Sequence, residues 1–269
     1  MIASGFPSLD KLTHGFEKQK LYVIADKKPL LNSVIGTNLA YKMAIEDHHA
    51  MLYFSMSYNN TEKVTQLLSI KSGISKDQIK EGQLEHSQWK DLENGIMFIC
   101  DSCLYLDDSL PFNVEEVCKK IKTTNDKTKL EIVIIDGFSV DNPNSRTEVI
   151  HALKALAVEL RIPIVLITKY EQRTFKFTQQ SLQWKKVTLE CVDCLMYIQP
   201  PLKGSLASIM NIPVWAFHSP VCVPHNLYEI NVVKNEGYKC GTVLLSIDHA
   251  TNKLMAVFTH LMDEKLTND

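Results

Sequence analysis

Residues 23–36 read VIADKKPLLNSVIG, and the fold turns on how this stretch is read. The apolar run KLYVIA leads into it and NSVIGTNLAYKMAIEDH leads out. The first has the β-branched and aromatic content of a strand, and the second has the length and apolar spacing of a helix. A strand, a tight connection and a helix near the start of a chain form the setting of a phosphate-binding loop. Such a loop reads G-x-x-x-x-G-K-[ST]. Here the connection is ADKKPLLNS, with no glycine and no lysine directly before the serine. The setting fits the pattern and the letters do not.

Outward from this stretch, further short apolar runs recur: AMLYFSM (50–56), IMFIC (96–100), EIVIIDGF (131–138), PIVLITK (163–169) and CLMYIQ (194–199). Near-continuous apolar runs suit strands covered on both faces, as in a parallel sheet. Helical patterns lie between them, at 33–47, at 60–71 with Asn60 or Thr61 as cap, at 87–94, at 113–123 capped by Asn113, and at 145–160. In the last, Val149, Leu153, Leu156 and Leu160 share one face. Strands alternating with helices predict an α/β fold with a mostly parallel sheet. Residues 200–227 hold five of the ten prolines and read as an irregular excursion. After them YEINVVK, GTVLLSID and KLMAVFTH alternate as antiparallel strands.

The length of 269 residues fits one large domain, and residues 1–269 read as a single unit without an interdomain linker. Hydrophobic residues are 45%, charged residues 22% and the net charge is −2, so any nucleic-acid surface must be local. No apolar stretch approaches the ~20 residues of a membrane span, and no signal peptide is visible, which favours the cytoplasm. The seven cysteines are odd in number and read as reduced thiols. Two C-x-x-C pairs, Cys100/Cys103 and Cys191/Cys194, have the ligand count for zinc. They sit in apolar, strand-like runs, so buried thiols are the simpler reading and no metal site is expected.

The order of segments is more specific than any one of them. The chain opens SGFPSLDKLTHGFEKQKLYVIA, in which Gly5, Phe6, Leu9, Asp10, Leu12, Thr13 and Gly15 match the start of the ATPase core of DnaB-type replicative helicases. KEGQLEHSQWKDL, CLYLDD, FNVEEV, IVIIDGF, SRTEVIHALKALAVELRIPIVLITKYEQR, VDCLMYIQP and INVVKNEGYKCGTVLLSID follow in that family's order. The resemblance covers nearly the whole chain. It implies a RecA-like P-loop fold, ATP and Mg²⁺ as cofactors if the site is active, and single-stranded DNA or replication proteins as partners. The helical N-terminal domain of the full helicases has no counterpart in these residues.

Several functional positions of the family depart. Aligned on VIA, its loop Gly-Lys-Thr falls on Leu31, Asn32 and Ser33. The lysine neutralises phosphate charge and the glycine admits close backbone approach. Leu31 and Asn32 supply neither. Ser33 keeps a hydroxyl that could meet Mg²⁺, but it serves equally as a helix N-cap. Pro29, Leu30 and Leu31 are expected to pack the turn shut. Lys27 and Lys28 are spare cations, read as a solvated loop. The water-activating glutamate falls on Ser57, which is no base without a partner. Asp136 keeps the Walker B carboxylate, although a strand-end aspartate equally begins a turn. The glutamine after the next strand is Lys169. The closing hairpin's lysine and arginine fall on Lys234 and Glu236. A glutamate facing an anion at about 4 Å costs roughly 4 kcal/mol at an effective dielectric near 20. The nucleotide-binding candidates are therefore Asn32, Ser33, Asp136 and Lys169, all degenerate, and no catalytic residue is assigned.

Residues 169–186, KYEQRTFKFTQQSLQWKK, carry Lys169, Arg173, Lys176, Lys185 and Lys186 against Glu171, a net +4 (5 − 1). Tyr170, Phe175, Phe177 and Trp184 are interleaved. Basic groups follow a nucleic-acid backbone while aromatics stack bases. Arg173, Phe175, Lys176, Lys185 and Lys186 are the DNA-binding candidates, against a basic loop packed on the body or on a neighbouring subunit. Three functions follow: a non-hydrolysing DNA- or replisome-associated relative of the helicases, an active helicase with an atypical loop, or a protein-interaction module on a RecA-like platform. With the composite ATP site eroded, monomer or dimer is expected over a hexamer.

Overall fold

The computed structural model describes residues 1–26, 29–109, 113–138, 143–169, 190–201 and 226–257, with residues 26, 29–32, 143–146 and 169 described by backbone alone. The strands are β1 (Leu21–Asp26), β2 (Met51–Ser55), β3 (Leu104–Asp107), β4 (Ile132–Asp136), β5 (Ile164–Lys169), β6 (Cys194–Gln199), β7 (Leu227–Asn235), β8 (Gly241–Asp248) and β9 (Lys253–Ala256). The helices are α1 (Pro7–Thr13), α2 (Pro29–Ala40), α3 (Asn60–Ser72), α4 (Lys76–Glu81), α5 (His86–Cys100), α6 (Val114–Thr128) and α7 (Pro143–Leu160). They form a nine-stranded sheet in the order β3-β2-β4-β5-β1-β6-β7-β8-β9. Pairing is parallel from β3 to β6 and antiparallel from β6 to β9. The expected α/β architecture is present: a mostly parallel RecA-like sheet with an antiparallel extension.

Strand alternation assigns each side chain to a layer. Tyr22, Ile24, Tyr53, Ile132, Ile134, Val165 and Ile167 face one side and pack with Ile35, Leu39 and Met43. Leu21, Val23, Leu52, Phe54, Val133, Ile135, Ile164 and Leu166 face the other, with Val117 and Ile121 of α6 and Ile150, Leu153 and Leu156 of α7. Tyr53 and Asp136 fall by parity on the α2 side. Asn38 fixes α2 against the far end of the sheet. Its amide donates to the Asn252 carbonyl at 2.8 Å, and its oxygen accepts from the Leu254 backbone at 2.8 Å. Asp193 ties the opposite end, accepting from the Leu21 N–H and from Lys154 Nζ, both at 2.7 Å.

Several expectations are corrected. Residues 96–100 are not a strand but the last turns of α5, which runs continuously from His86 to Cys100. Glu85 and Gln88 form a capping box that starts this helix, and Leu92 and Gly95 are buried while Met97 stays largely exposed. The strand role passes to Leu104–Asp107, which pairs with β2. α3 is capped by Asn59, whose side chain accepts from the Glu62 N–H, rather than by Asn60 or Thr61. The 33–47 helix starts earlier and changes at Tyr41–Glu46 into a π-helical stretch. Asn113 caps α6 as expected. Cys100 and Cys103 flank the start of β3, and Cys191 and Cys194 lie at the start of β6. Four strands separate β3 from β6, about 24 Å at the usual strand spacing, so the four thiols do not converge. Among the described residues no group of three or more His, Cys, Asp or Glu side chains could hold a metal ion. The excursion at 202–225 lies outside the described residues.

Gly36 marks the closest approach of α2 to the sheet. A Cβ there would lie 2.6 Å from the Tyr53 hydroxyl and 2.8 Å from Ile167 Cδ1. Tyr53 is fully buried and its hydroxyl is fixed by hydrogen bonds, so it cannot step aside. Gly36→Ala is expected to destabilise by about 1 kcal/mol in urea unfolding, because overpacking at the middle of its usual range, about 2 kcal/mol, is offset only in part by the helix-propensity gain of about 1 kcal/mol. An unchanged or higher midpoint would contradict this packing.

Candidate functional site

Parallel pairing brings the carboxyl ends of β1, β2, β4 and β5 to one edge. Asp26 is in register with Lys169, and Ser55 with Asp136. In open α/β sheets this is the edge where ligands bind. Ser33, Ser57, Asp136 and the end of β5, four of the positions marked by sequence, are therefore brought together. Ser33 does not cap α2. The helix begins at Pro29, so Ser33 stands inside its second turn, and its carbonyl accepts from Thr37 Oγ1 at 2.7 Å. Only Lys27 and Lys28 separate β1 from α2. Proline is a favourable first helical residue because its missing N–H would lack a helical partner there. The side chains of Pro29, Leu30, Leu31, Asn32 and Lys169 lie outside the described residues, as do all of Arg173, Phe175, Lys176, Lys185 and Lys186.

At the centre of this edge is a residue that sequence reasoning missed. Lys63 of α3 is fully buried, and its Nζ is held by four oxygens. These are Ser33 Oγ at 2.8 Å, Thr37 Oγ1 at 3.1 Å, the Tyr53 hydroxyl at 3.1 Å and Asp136 Oδ2 at 3.2 Å. Two of the hydroxyl protons are already committed. Tyr53 donates to Asp136 Oδ2 at 2.6 Å, and Thr37 donates to the Ser33 carbonyl. Those hydroxyls, like the carboxylate, therefore present lone pairs to Lys63. A neutral amine has only two N–H donors, whereas an ammonium has three. The arrangement is matched to the charged form.

Burial pulls the Lys63 pKa below the ordinary lysine value, and the Asp136 carboxylate opposes that pull. Burial, reinforced by Asp136, holds the Tyr53 hydroxyl well above the usual tyrosine range, so it remains a donor. At 3.2 Å and an effective dielectric near 20, the Lys63–Asp136 attraction is roughly 5 kcal/mol. The desolvation it offsets is several kcal/mol per ion. The Tyr53 and Tyr58 rings lie 4.9 and 5.4 Å from Nζ and close the cluster by cation–π contact.

Ser57 is exposed at the end of β2, and its hydroxyl lies directly over Gly137. Gly137 has φ +89°, and a Cβ there would collide with Ser57 Oγ. A cavity of about 400 Å³ opens beside the cluster, lined by Ser33, Tyr58, Gln66, Lys76, Lys80 and His249 among others. Lys234 does not project from the closing hairpin as a free cation, because its ammonium donates to the Val192 carbonyl. Glu236 is exposed, and its backbone N–H donates to the Asp193 carbonyl at 2.9 Å.

A signal for Lys63 was present in the sequence. Lys63, Leu67 and Ile70 are spaced i, i+4, i+7 along NTEKVTQLLSIK, which places a lysine on the buried stripe of α3. Lys63→Met is expected to cost about 3–5 kcal/mol in urea unfolding, because it leaves Asp136 buried without its counter-charge. The double variant Lys63→Met/Asp136→Leu is expected to be more stable than Lys63→Met alone. Additive losses in that double-mutant cycle would show that the two charges are not coupled.

Comparison with known proteins identifies the family and the fold. Residues 1–181 match the family described as the DnaB-like helicase C terminal domain. The replicative DNA helicase DnaC of Bacillus subtilis (strain 168) is 24% identical over 177 residues, 62% of this chain and 39% of that protein. The replicative DNA helicase DnaB of Mycobacterium leprae (strain TN) is 29% identical over 160 residues, 55% of this chain and 26% of that protein. The matched regions are thus well under half the length of these relatives. Among solved structures, an isolated ATPase domain superposes with a TM-score of 0.80 at 17% identity, covering 96% of this chain and 91% of that one. A DnaB-like replicative helicase studied with primase gives 0.79 at 17% identity, covering 96% and 62%. A match over residues 1–181 of 269, on a RecA-like sheet, makes the chain a member of the DnaB-like helicase C-terminal domain family.

Proposed function

We propose that this chain is a non-hydrolysing member of the DnaB-like family that works as a DNA- or replisome-associated binding protein. The observation that carries the reading is Ser57. It stands at the end of β2, beside Gly137, where the resemblance calls for a water-activating glutamate. A serine hydroxyl without an adjacent base does not take a proton from water. The carboxylate that remains, Asp136, is engaged by Lys63 and Tyr53. The residues at the start of α2 support the same reading. Leu31 and Asn32 stand where the resemblance puts the phosphate loop's glycine and lysine. Each change removes a separate part of phosphoryl-transfer catalysis, which rests on positioning and charge stabilisation. ATP and Mg²⁺ are accordingly no working cofactors in this reading.

Partners follow from relatives and from local charge. One structural relative was studied in its interactions with primase, which makes replication proteins natural partners for this fold. The stretch 169–186, with Arg173, Phe175, Lys176, Lys185 and Lys186, supplies the cation–aromatic mixture for single-stranded DNA. The chain acts as a monomer or dimer, since the composite site that would help to close a ring is eroded. It works in the cytoplasm, and among the described residues no helix is long and apolar enough to cross a membrane.

Two measurements test the reading. ATP turnover with Mg²⁺ is expected to stay at background with or without single-stranded DNA; turnover abolished by Asp136→Ala would refute the non-hydrolysing role. Oligonucleotide affinity is expected to fall steeply with salt and to drop at least tenfold when Arg173, Lys176, Lys185 and Lys186 are changed together to Ala. Affinity indifferent to both would remove DNA as the partner.

A further inference from the structure

We propose that the Lys63 ammonium is the resident cation of this site, standing where Ser33 and Asp136 would otherwise share a divalent ion, and that the protein takes no metal there. The proposal rests on the proposed function, and on the resemblance by which Ser33 keeps a hydroxyl that could meet Mg²⁺ and Asp136 keeps the Walker B carboxylate beside it. Oδ2 of Asp136 is engaged by Tyr53 and Lys63 and Oδ1 is buried without a hydrogen-bond partner, yet the residues present do not fit Mg²⁺ shared between Ser33 and Asp136. That ion requires oxygens at about 2.0–2.1 Å in near-octahedral array and keeps several waters. Lys63 Nζ already lies 2.8 Å from Ser33 Oγ and 3.2 Å from Asp136 Oδ2. An ion touching both oxygens would sit against the ammonium, with like charge and no space for its waters.

Three further observations point to a built site. The ammonium's oxygens come from three separate elements: Ser33 and Thr37 from α2, Tyr53 from β2 and Asp136 from β4. They surround the nitrogen as ligands surround an ion. Gly36 leaves space for the Tyr53 hydroxyl, which gives one lone pair to Lys63 and its proton to Asp136. The cavity reaches Ser33, so solvent cations have a route to the edge, and it is the occupant's charge that turns them away. A lysine on the buried stripe of α3 thus keeps Asp136 neutralised at all times, where a metal would come and go with ligand. The architecture around the old metal position stays locked whether or not nucleotide or magnesium is present.

The test is a Mn²⁺ titration of the purified chain, followed by the electron paramagnetic resonance signal of free Mn²⁺, alongside melting curves in EDTA and in excess Mn²⁺. The wild-type chain is expected to leave the free Mn²⁺ signal undiminished and to melt at the same temperature in both buffers. Lys63→Ala, which removes the ammonium and opens space for a hydrated ion, is expected to melt lower in EDTA and to recover in Mn²⁺. That recovery is expected to be lost in Lys63→Ala/Asp136→Asn. One equivalent of Mn²⁺ bound by the wild-type chain and lost in Asp136→Asn would overturn the proposal, and this measurement needs no Lys63 variant. A Lys63→Ala protein melting like wild type in EDTA would overturn it as well. The two readings separate cleanly. Mn²⁺ bound at Asp136 without ATP turnover defeats only the resident-cation proposal. Metal-independent turnover defeats only the non-hydrolysing role.

Discussion

A carboxylate at the end of a buried strand needs a counter-charge, and in this protein it comes from the chain itself. Asp136 is buried on the face of the sheet that α2 covers, where an unpaired charge would be costly. Lys63 answers it from α3, and Ser33, Thr37 and Tyr53 complete the ammonium's hydrogen bonding. The pair links helix α2, helix α3 and the adjacent strands β2 and β4. These elements form the edge where a RecA-like domain would place its phosphates. Removing one charge strands the other, so the edge holds together as a unit.

If the proposed non-hydrolysing role holds, that dependence gives an account of how a family fold can outlive its chemistry. Phosphate-loop sites are held partly by their ligands, because nucleotide and metal neutralise charges that would otherwise repel or lie unpaired. A chain that no longer binds them must satisfy those groups internally. On the proposed reading, Ser57 stands where the resemblance has a carboxylate at the end of β2, and Lys63 pairs with Asp136. On that reading the edge carries one carboxylate fewer, and a single ammonium balances Asp136.

Much of the sheet was legible because buried parallel strands write themselves as unbroken β-branched runs. The runs around 21–25, 131–138, 163–169 and 194–199 all became strands. The run IMFIC at 96–100 misled because an amphipathic helix can also end in consecutive apolar residues. Its Met97 and Phe98 are exposed on α5, with the Lys71 ammonium 3.5 Å from the Phe98 ring centroid. Local composition does not reveal which neighbour an apolar run has. The cap at Ser33 misled for a related reason. Serine suits both a helix start and a helix interior whose hydroxyl is needed elsewhere, and Lys63 supplies that need.

The sequence by itself determined the layered α/β class and the family through its ordered segments. Those facts are carried by residue identity and spacing along the chain, which folding does not alter. Only the tertiary structure decided what pairs with Asp136. Lys63 and Asp136 are 73 residues apart, and nothing local to either announces the other. Strand parity puts Asp136 on the α2 face, helix phase turns Lys63 inward, and parallel pairing of β2 with β4 brings them within 3.2 Å. The partnership arises from three periodicities meeting in space, and so it appears only when the chain is folded.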